Sequence, residues 1–280
     1  MRMRLRYLMC VLLLLLPVAV QADFTFVQIS DTHVGKDPAF NARYAEVVGQ
    51  INALKPAFVI HTGDALADWS PENAALFKEI SKPLAMPMYV VPGNHDAGRL
   101  REIGPEKGGQ SIAAWKAAFG YDRISFEHEG CAFIGLNSNL FNSGFPAEKE
   151  HLDWLKAELK KAKRKRIFIF EHCALFLDKP SDPNGDYFAT DEPARSEVLK
   201  LLEANHVEAV LTGHVHRLNE SVYDGISFIS TPATSFSCSP DAGLTGYRVF
   251  HVSKGGFTHR FVDLRHGGNP PDFQQKAVEP

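Results

Sequence analysis

Five short apolar runs in this sequence each lead into an aspartate, an asparagine or a histidine. Phe24–Ile29 leads into Asp31-Thr32-His33, and Ala57–Ile60 into Gly63-Asp64. Met88–Val91 leads into Gly93-Asn94-His95-Asp96, and Ile167–Phe170 into Glu171-His172. Val207–Leu211 leads into Gly213-His214-Val215-His216. Runs of this length rich in Val, Ile and Phe predict buried strands. In open α/β sheets, ligands collect beyond the carboxyl ends of the strands. Five such ends bearing Asp, Asn and His can therefore build one shared site.

Helical spacing separates these runs. Asn41–Leu54 carries Tyr44, Val47, Val48, Ile51 and Leu54 on one face. Ser70 followed by Pro71 predicts a helix start, with serine as N-cap and proline at the first helical position. Further helices are expected at Ser111–Phe119, Pro146–Lys163 and Glu192–Ala204. Arg123–His128 and Cys131–Leu136 read as a hairpin turned at Glu129-Gly130. From Glu220 onward the pattern changes to four short strands, Glu220–Tyr223, Ile226–Ser230, Tyr247–Val252 and Phe257–Val262, which read as a meander. Two packed sheets with helices outside accommodate both parts.

Arg2, Arg4 and Arg6, the apolar stretch Leu8–Val20 and Val20-Gln21-Ala22 read as a secretory leader over residues 1–22. The stretch is shorter than the roughly 17–25 residues a spanning helix needs, and Pro17 interrupts it. The expected organisation is this leader, one domain over 23–265 and a loose tail over 266–280. The formal net charge is −3, and losing the leader arginines makes the chain more acidic. No positive excess exists to grip a nucleic-acid backbone, and no second segment would cross a bilayer. Export to a periplasm or the extracellular space is the expected destination. Three cysteines remain beyond the leader, Cys131, Cys173 and Cys238, too few for a disulfide framework. Cys131 falls in a strand and is expected in the core. The sequence leaves a Cys173–Cys238 bridge open.

Asp31 and His33 are two apart, so on an extended chain they would share a face. His214 and His216 have the same spacing, and Asp64, Asn94 and His172 each stand alone after a strand. Carboxylate, amide and imidazole together suit Mn, Fe or Zn better than Ca or Mg. Seven groups exceed the needs of one tetrahedral zinc and suffice for two ions sharing a bridging carboxylate. Two dications about 3.5–4 Å apart suit in-line displacement at phosphorus, because they turn a shared water into hydroxide near neutral pH. His95, beside Asn94, is placed to protonate a leaving alkoxide. His61 reads as a strand histidine or a hydrogen-bond partner of the site. Asn137-Ser138-Asn139 reads as a loop or a substrate-facing edge. The long loop Asp178–Asp191 reads as a cover that selects the substrate or as a solvated insertion.

The order Asp31-x-His33, Gly63-Asp64, Gly93-Asn94-His95-Asp96, His172, Gly213-His214-x-His216 resembles the calcineurin-like metallophosphoesterase superfamily. The resemblance spans roughly Phe24 to Asp263. The stretch Glu171-His172-Cys173-Ala174 with Asp186-Tyr187-Phe188 is similar to its serine/threonine phosphatase-like branch. The resemblance implies an α/β fold, a four-layer α/β/β/α sandwich of two mixed sheets flanked by helices. It implies Asp31, His33 and His216 around one ion and Asn94, His172 and His214 around the other. Asp64 would bridge them, His95 would be the general acid, and Asn94 would also orient the phosphate. Purple acid phosphatases carry a tyrosine ligand where this chain has Ala67, which argues against the coloured ferric form. Cyclic-nucleotide-cleaving relatives place an aspartate there to orient the catalytic histidine; here Asp68 and Asp96 are the candidates. The implied activity is hydrolysis of phosphate monoesters, phosphoproteins among them. A phosphodiesterase is the alternative within the enzyme class, and a non-catalytic metal- and phosphate-binding protein is the alternative outside it.

Overall fold

The central strands of this chain are apolar on both faces, and the two faces differ in kind. In Arg166–Phe170 the isoleucines Ile167 and Ile169 pack with helices, while Phe168 and Phe170 face the other way. In Phe24–Ile29, Val27 and Ile29 pack under helices and Phe24 and Phe26 join those same phenylalanines. Side chains alternate faces along a strand, so these two strands lay aliphatic groups under helices and aromatic rings against the opposing sheet. That pattern dictates layers of helix, sheet, sheet and helix.

The computed structural model describes residues 22–98, 100–235 and 243–264. Apart from Ala22, the expected leader lies outside the described residues, as do the expected tail and Cys238. In chain order the elements begin with β1 (Phe24–Ile29), α1 (Pro38–Leu54), β2 (Val59–His61), α2 (Pro71–Ser81) and β3 (Met88–Val90). Next come α3 (Asn94–Ala97), α4 (Leu100–Ile103), α5 (Pro105–Phe119), β4 (Ile124–His128) and β5 (Cys131–Gly135). A 3₁₀ turn (Ser138–Leu140), α6 (Pro146–Lys161), β6 (Arg166–Phe170), α7 (Ala194–Ala204) and β7 (Ala209–Thr212) follow. The chain closes with β8 (Asn219–Tyr223), β9 (Ile226–Ser230), β10 (Gly246–Ser253) and β11 (Gly256–Asp263). One sheet runs β11-β10-β1-β2-β3 and the other β4-β5-β6-β7-β9-β8. Both are mixed: β1-β2-β3 and β5-β6-β7-β9 are parallel, and the outer pairs are antiparallel.

The expected hairpin β4–β5 forms with the predicted turn. Ser70 caps α2 by accepting from Asn73 N at 3.0 Å, with Pro71 at the first helical position. α5 starts earlier than its apolar spacing suggests, at Pro105 rather than Ser111. The expected C-terminal meander is two hairpins in different sheets. β8–β9 adds to the second sheet through β7, and β10–β11 adds to the first through β1. Local patterning identifies strands but carries no information about such distant pairing. No helix among the described residues is long and apolar enough to cross a membrane.

Phe26 holds the sandwich together at its centre. It stacks on Phe58 at 5.2 Å and on Phe250 at 4.6 Å within its own sheet. It meets Phe133 and Phe168 of the other sheet edge-on at 5.3 and 6.2 Å. Both arrangements suit the ring quadrupole. Above these rings, Gln28 donates across the gap to Thr212 O at 2.9 Å and accepts from Thr231 Oγ1 at 2.8 Å, tying the sheets below the strand ends. Truncating this ring would leave a cavity between sheets that cannot both collapse onto it. Phe26→Ala is therefore expected to lower unfolding stability by about 3–5 kcal/mol, read as a reduced urea midpoint at unchanged slope. A loss below about 1 kcal/mol would contradict the central place given to Phe26.

Candidate metal centre

All the ligand-type residues of the five motifs meet at one end of the sandwich. The first sheet supplies Asp31, His33, Asp64, Asn94 and His95, and the second supplies His172, His214 and His216. The loops are stitched to one another: Asp31 N donates to Gly63 O at 2.9 Å, His33 N to Asp64 O at 3.1 Å and Gly213 N to His172 O at 3.1 Å. The expected extended spacing of Asp31 with His33, and of His214 with His216, does not occur. These four and Asp64 all have left-handed backbone, with φ of 52°, 43°, 66°, 51° and 51° respectively. Non-glycine residues rarely adopt it, and where they do they cluster at functional sites. Here it curls each loop back over the strand end. The motif glycines permit the close approach. A Cβ on Gly93 would sit 2.1 Å from Asp64 Oδ1, and one on Gly63, at φ +92°, would sit 2.7 Å from His172 Nδ1.

Three groups of donor atoms form within this space: Asp31, His33 and His216; His33, Asp64 and His95; and Asp64, His172 and His214. Asp31 turns Oδ1 toward His216 Nε2 at 3.0 Å, while its Oδ2 accepts from Ser30 Oγ at 2.5 Å and His214 N at 3.1 Å. Asp64 Oδ2 lies 3.3 Å from His172 Nε2 and 4.0 Å from His33 Nε2. Its Oδ1 accepts from His95 N at 2.8 Å. Asn94 adds Oδ1 at 3.1 Å from His172 Nε2. Asp64 is thus shared by two of the three groups and lies close to His33, which is shared with the first.

Backbone carbonyls select the imidazole tautomers. Only a protonated nitrogen can bond to a carbonyl oxygen. His172 Nδ1 donates to Thr62 O at 2.8 Å, which turns Nε2 inward. His214 Nε2 donates to Tyr187 O at 3.0 Å, which leaves Nδ1 for the cluster. His95 Nδ1 donates to Ala67 O at 2.5 Å and presents Nε2. Partners of this kind orient metal-ligating histidines. His61 is buried beneath, with Nε2 bonded to Thr32 Oγ1 at 3.0 Å and Nδ1 accepting from Gly63 N at 3.2 Å, so it is both a core histidine and a brace for two ligand loops.

Asp96 does not orient His95. Its carboxylate accepts from Gly93 N at 2.8 Å, Leu66 N at 2.9 Å and Ala65 N at 3.1 Å. It pins the segment that carries Ala67 O and so reaches His95 only through the backbone. Asp68 is exposed, with Oδ1 3.8 Å from His95 Nδ1, too far for a hydrogen bond. Asn139 Nδ2 donates to Gly93 O at 3.0 Å, and Ser138 Oγ accepts from Cys173 N at 3.0 Å, so both brace ligand loops. Cys131 is buried in the core, as expected. Sequence reasoning missed the carbonyls of Thr62, Ala67 and Tyr187, although Tyr187 itself lies in the stretch and the loop singled out from the sequence. A backbone carbonyl leaves no trace in residue identity.

The electrostatics fit paired cations. Burial, outweighing the nearby carboxylates, pulls His33 down to about 4. Burial and then the charge on His172 pull His214 down to about 4 as well. Both are neutral at pH 7, the form that ligates. Burial works to raise Asp64, but the His172 imidazole beside it holds the carboxyl well below its ordinary range. Burial pushes Glu171 up to about 8, so it is protonated at neutral pH and adds no charge beside His172. The donor set, two carboxylates, one amide and four imidazoles, fits two borderline divalent ions.

The sequence profile of the calcineurin-like phosphoesterase family matches residues 24–218. The chain belongs to that family. It is 27% identical over 249 residues to the serine/threonine-protein phosphatase CPPED1 of Pongo abelii, covering 84% of this chain and 75% of that protein. It is 28% identical over 232 residues to the 3',5'-cyclic adenosine monophosphate phosphodiesterase CpdA of Haemophilus influenzae, covering 77% and 78%. A dimetal phosphatase from Danio rerio shares the fold, with a TM-score of 0.64 at 15% identity over 85% of this chain and 95% of that one. The protein is thus a metallophosphoesterase, a hydrolase of phosphate esters with two mixed sheets flanked by helices.

Burial disfavours a charged His172, but Asp64, then Asp31, more than offset it and hold the imidazole at about 9 in the metal-free protein. The proton must leave Nε2 before an ion can bind there. Below pH 9 the ion competes with a proton, and above it does not. Apparent affinity for Mn(II) should therefore rise by up to about tenfold per pH unit from pH 7 to 9 and then level off. Calorimetry of chelator-stripped protein in buffers of different ionisation enthalpy measures it. An affinity flat across that range would contradict the assignment.

Proposed function

We propose that this chain is an exported phosphoesterase that hydrolyses phosphate monoesters, phosphoproteins among them, with two divalent ions drawn from Mn, Fe or Zn. Asp64, shared by two of the three donor groups and with His95 beside it, carries this reading. Asp31, His33 and His216 would hold one ion, Asn94, His172 and His214 the other, and Asp64 both. Ions so held lower the pKa of a shared water and draw charge off the phosphate oxygens.

The chain's own groups do the rest. Asn94 turns its Oδ1 toward His172 and leaves Nδ2 directed outward, where it can donate to a phosphate oxygen. His95 is partly open to solvent, and Ala67 O holds its ring by Nδ1–H. A second proton on Nε2 makes it an acid whose charge the carbonyl supports, aimed at the leaving alkoxide. His95→Ala is expected to slow turnover of esters with poor leaving groups by about 10²–10⁴-fold at unchanged metal content. Unchanged turnover would remove His95 from the chemistry.

A second reading, a phosphodiesterase, is favoured by one observation. A cleft opens beside Asn94, His172 and His214, lined also by Ser138, Asn142, Cys173, Thr190 and Asp191. Ser138, Asn142 and Thr190 offer hydrogen bonds there to a second substituent. The loop Asp178–Asp191 borders it, which supports a part in substrate selection. Rates on nitrophenyl phosphate and bis-nitrophenyl phosphate separate the readings: the monoester reading expects the higher kcat/KM on the former.

Export rests on the arginine-led apolar stretch and Ala22. Expressed with its leader in a Gram-negative host, the protein is expected in the periplasmic fraction with Asp23 as its first residue by terminal sequencing. An intact Met1 terminus in the cytoplasm would refute it.

A further inference from the structure

The loop between β6 and α7 returns to the metal centre at Tyr187. This residue touches the centre with three different parts. Its carbonyl accepts the 3.0 Å hydrogen bond from His214 Nε2. Its ring lies against the His214 imidazole, centroids 4.9 Å apart. Its hydroxyl accepts from Asn94 Nδ2 at 3.3 Å. The amide that carries this donor also turns its oxygen toward His172 at 3.1 Å, so the phenol stands one amide away from the inner cluster.

The loop is fastened where it presents this side chain. Thr190 N donates to Ala174 O at 2.8 Å, Phe188 N to Asp186 Oδ1 at 2.8 Å and Gly185 N to Asp191 Oδ1 at 2.6 Å. Arg195, itself buried, donates to Asn184 Oδ1 at 3.0 Å. Tyr187 is 44% exposed, and its hydroxyl and ring lie against two ligand-type residues, Asn94 and His214.

A phenol oxygen that accepts one hydrogen bond still carries a proton to donate, and an asparagine amide has two N–H groups. Tyr187 Oη and Asn94 Nδ2 are therefore adjoining donors at the solvent-facing rim of the centre. An anionic oxygen set between them would receive two charge-assisted hydrogen bonds, which are stronger than neutral ones. We propose that Tyr187 binds the phosphoryl group of the substrate, its hydroxyl and Asn94 Nδ2 donating to one non-bridging oxygen. The inference rests on the phosphoesterase reading of the same site and adds to it a residue from outside the five motifs. A phenol that merely covered the Asn94 donor would have the opposite effect on affinity, so the sign of the change decides.

The experiment titrates metal-loaded wild-type protein and Tyr187→Phe with inorganic phosphate by calorimetry, and follows both on nitrophenyl phosphate. Turnover by the wild-type protein tests the phosphoesterase reading by itself; the ratio of variant to wild type tests Tyr187. The variant is expected to bind inorganic phosphate about tenfold more weakly and to lose about tenfold in kcat/KM, with metal content by elemental analysis equal to wild type. Equal phosphate affinity in the two proteins would overturn the proposal. Tighter binding by the variant would overturn it as well, assigning the hydroxyl to occlusion of Asn94. Weaker binding accompanied by loss of metal would also overturn it, because the phenol would then be supporting the ligand loops instead of the phosphate.

Discussion

The separation of the two sheets is the constraint on which the centre depends. Asp31, His33, Asp64 and Asn94 grow from one sheet, and His172, His214 and His216 from the other. Neither sheet alone carries a complete set around Asp64. The spacing between the halves is set by phenylalanine rings, stacked within the first sheet and meeting Phe133 and Phe168 edge-on across the gap. Rings are stiff and interiors are close-packed. A few tenths of an ångström lost or gained in that layer would be passed to the strand ends, where Asp64 must reach imidazoles on both sides.

Above the rings, the polar network takes over. Gln28, Thr212 and Thr231 bond across the gap just below the loops. Thr62 accepts from Gln28 through its side chain and from His172 through its carbonyl. Buried polar groups need partners, and here those partners lock the ligand loops in register. The left-handed residues are part of the same economy of space. Backbone strain of this kind persists where surroundings over-determine it, and the cross-loop hydrogen bonds among Asp31, Gly63, His33 and Asp64 supply that determination.

Much of this was readable from residues alone, for a physical reason. A buried strand must be apolar and a ligand must be polar, so an apolar run that stops at aspartate or histidine marks both the strand and the direction of its end. Hence the layers and all seven ligand-type residues emerged together. What stayed hidden involves backbone atoms or distant pairing. The carbonyls of Thr62, Ala67 and Tyr187 orient three histidines without any signature in side-chain identity. Asp96, adjacent in sequence to His95, pointed to a direct contact, whereas its carboxylate satisfies three buried amides. The four-residue helices at Asn94–Ala97 and Leu100–Ile103 are too short to show periodicity. The hairpins β8–β9 and β10–β11 part company because sheet membership is settled by long-range register.

His214 belongs to two structures at once. One ring nitrogen faces the inner cluster while the other grips the Asp178–Asp191 loop through Tyr187 O. An imidazole cannot tilt one nitrogen without moving the other. Any tilt of this ring at the inner cluster is thereby passed to the loop that borders the cleft.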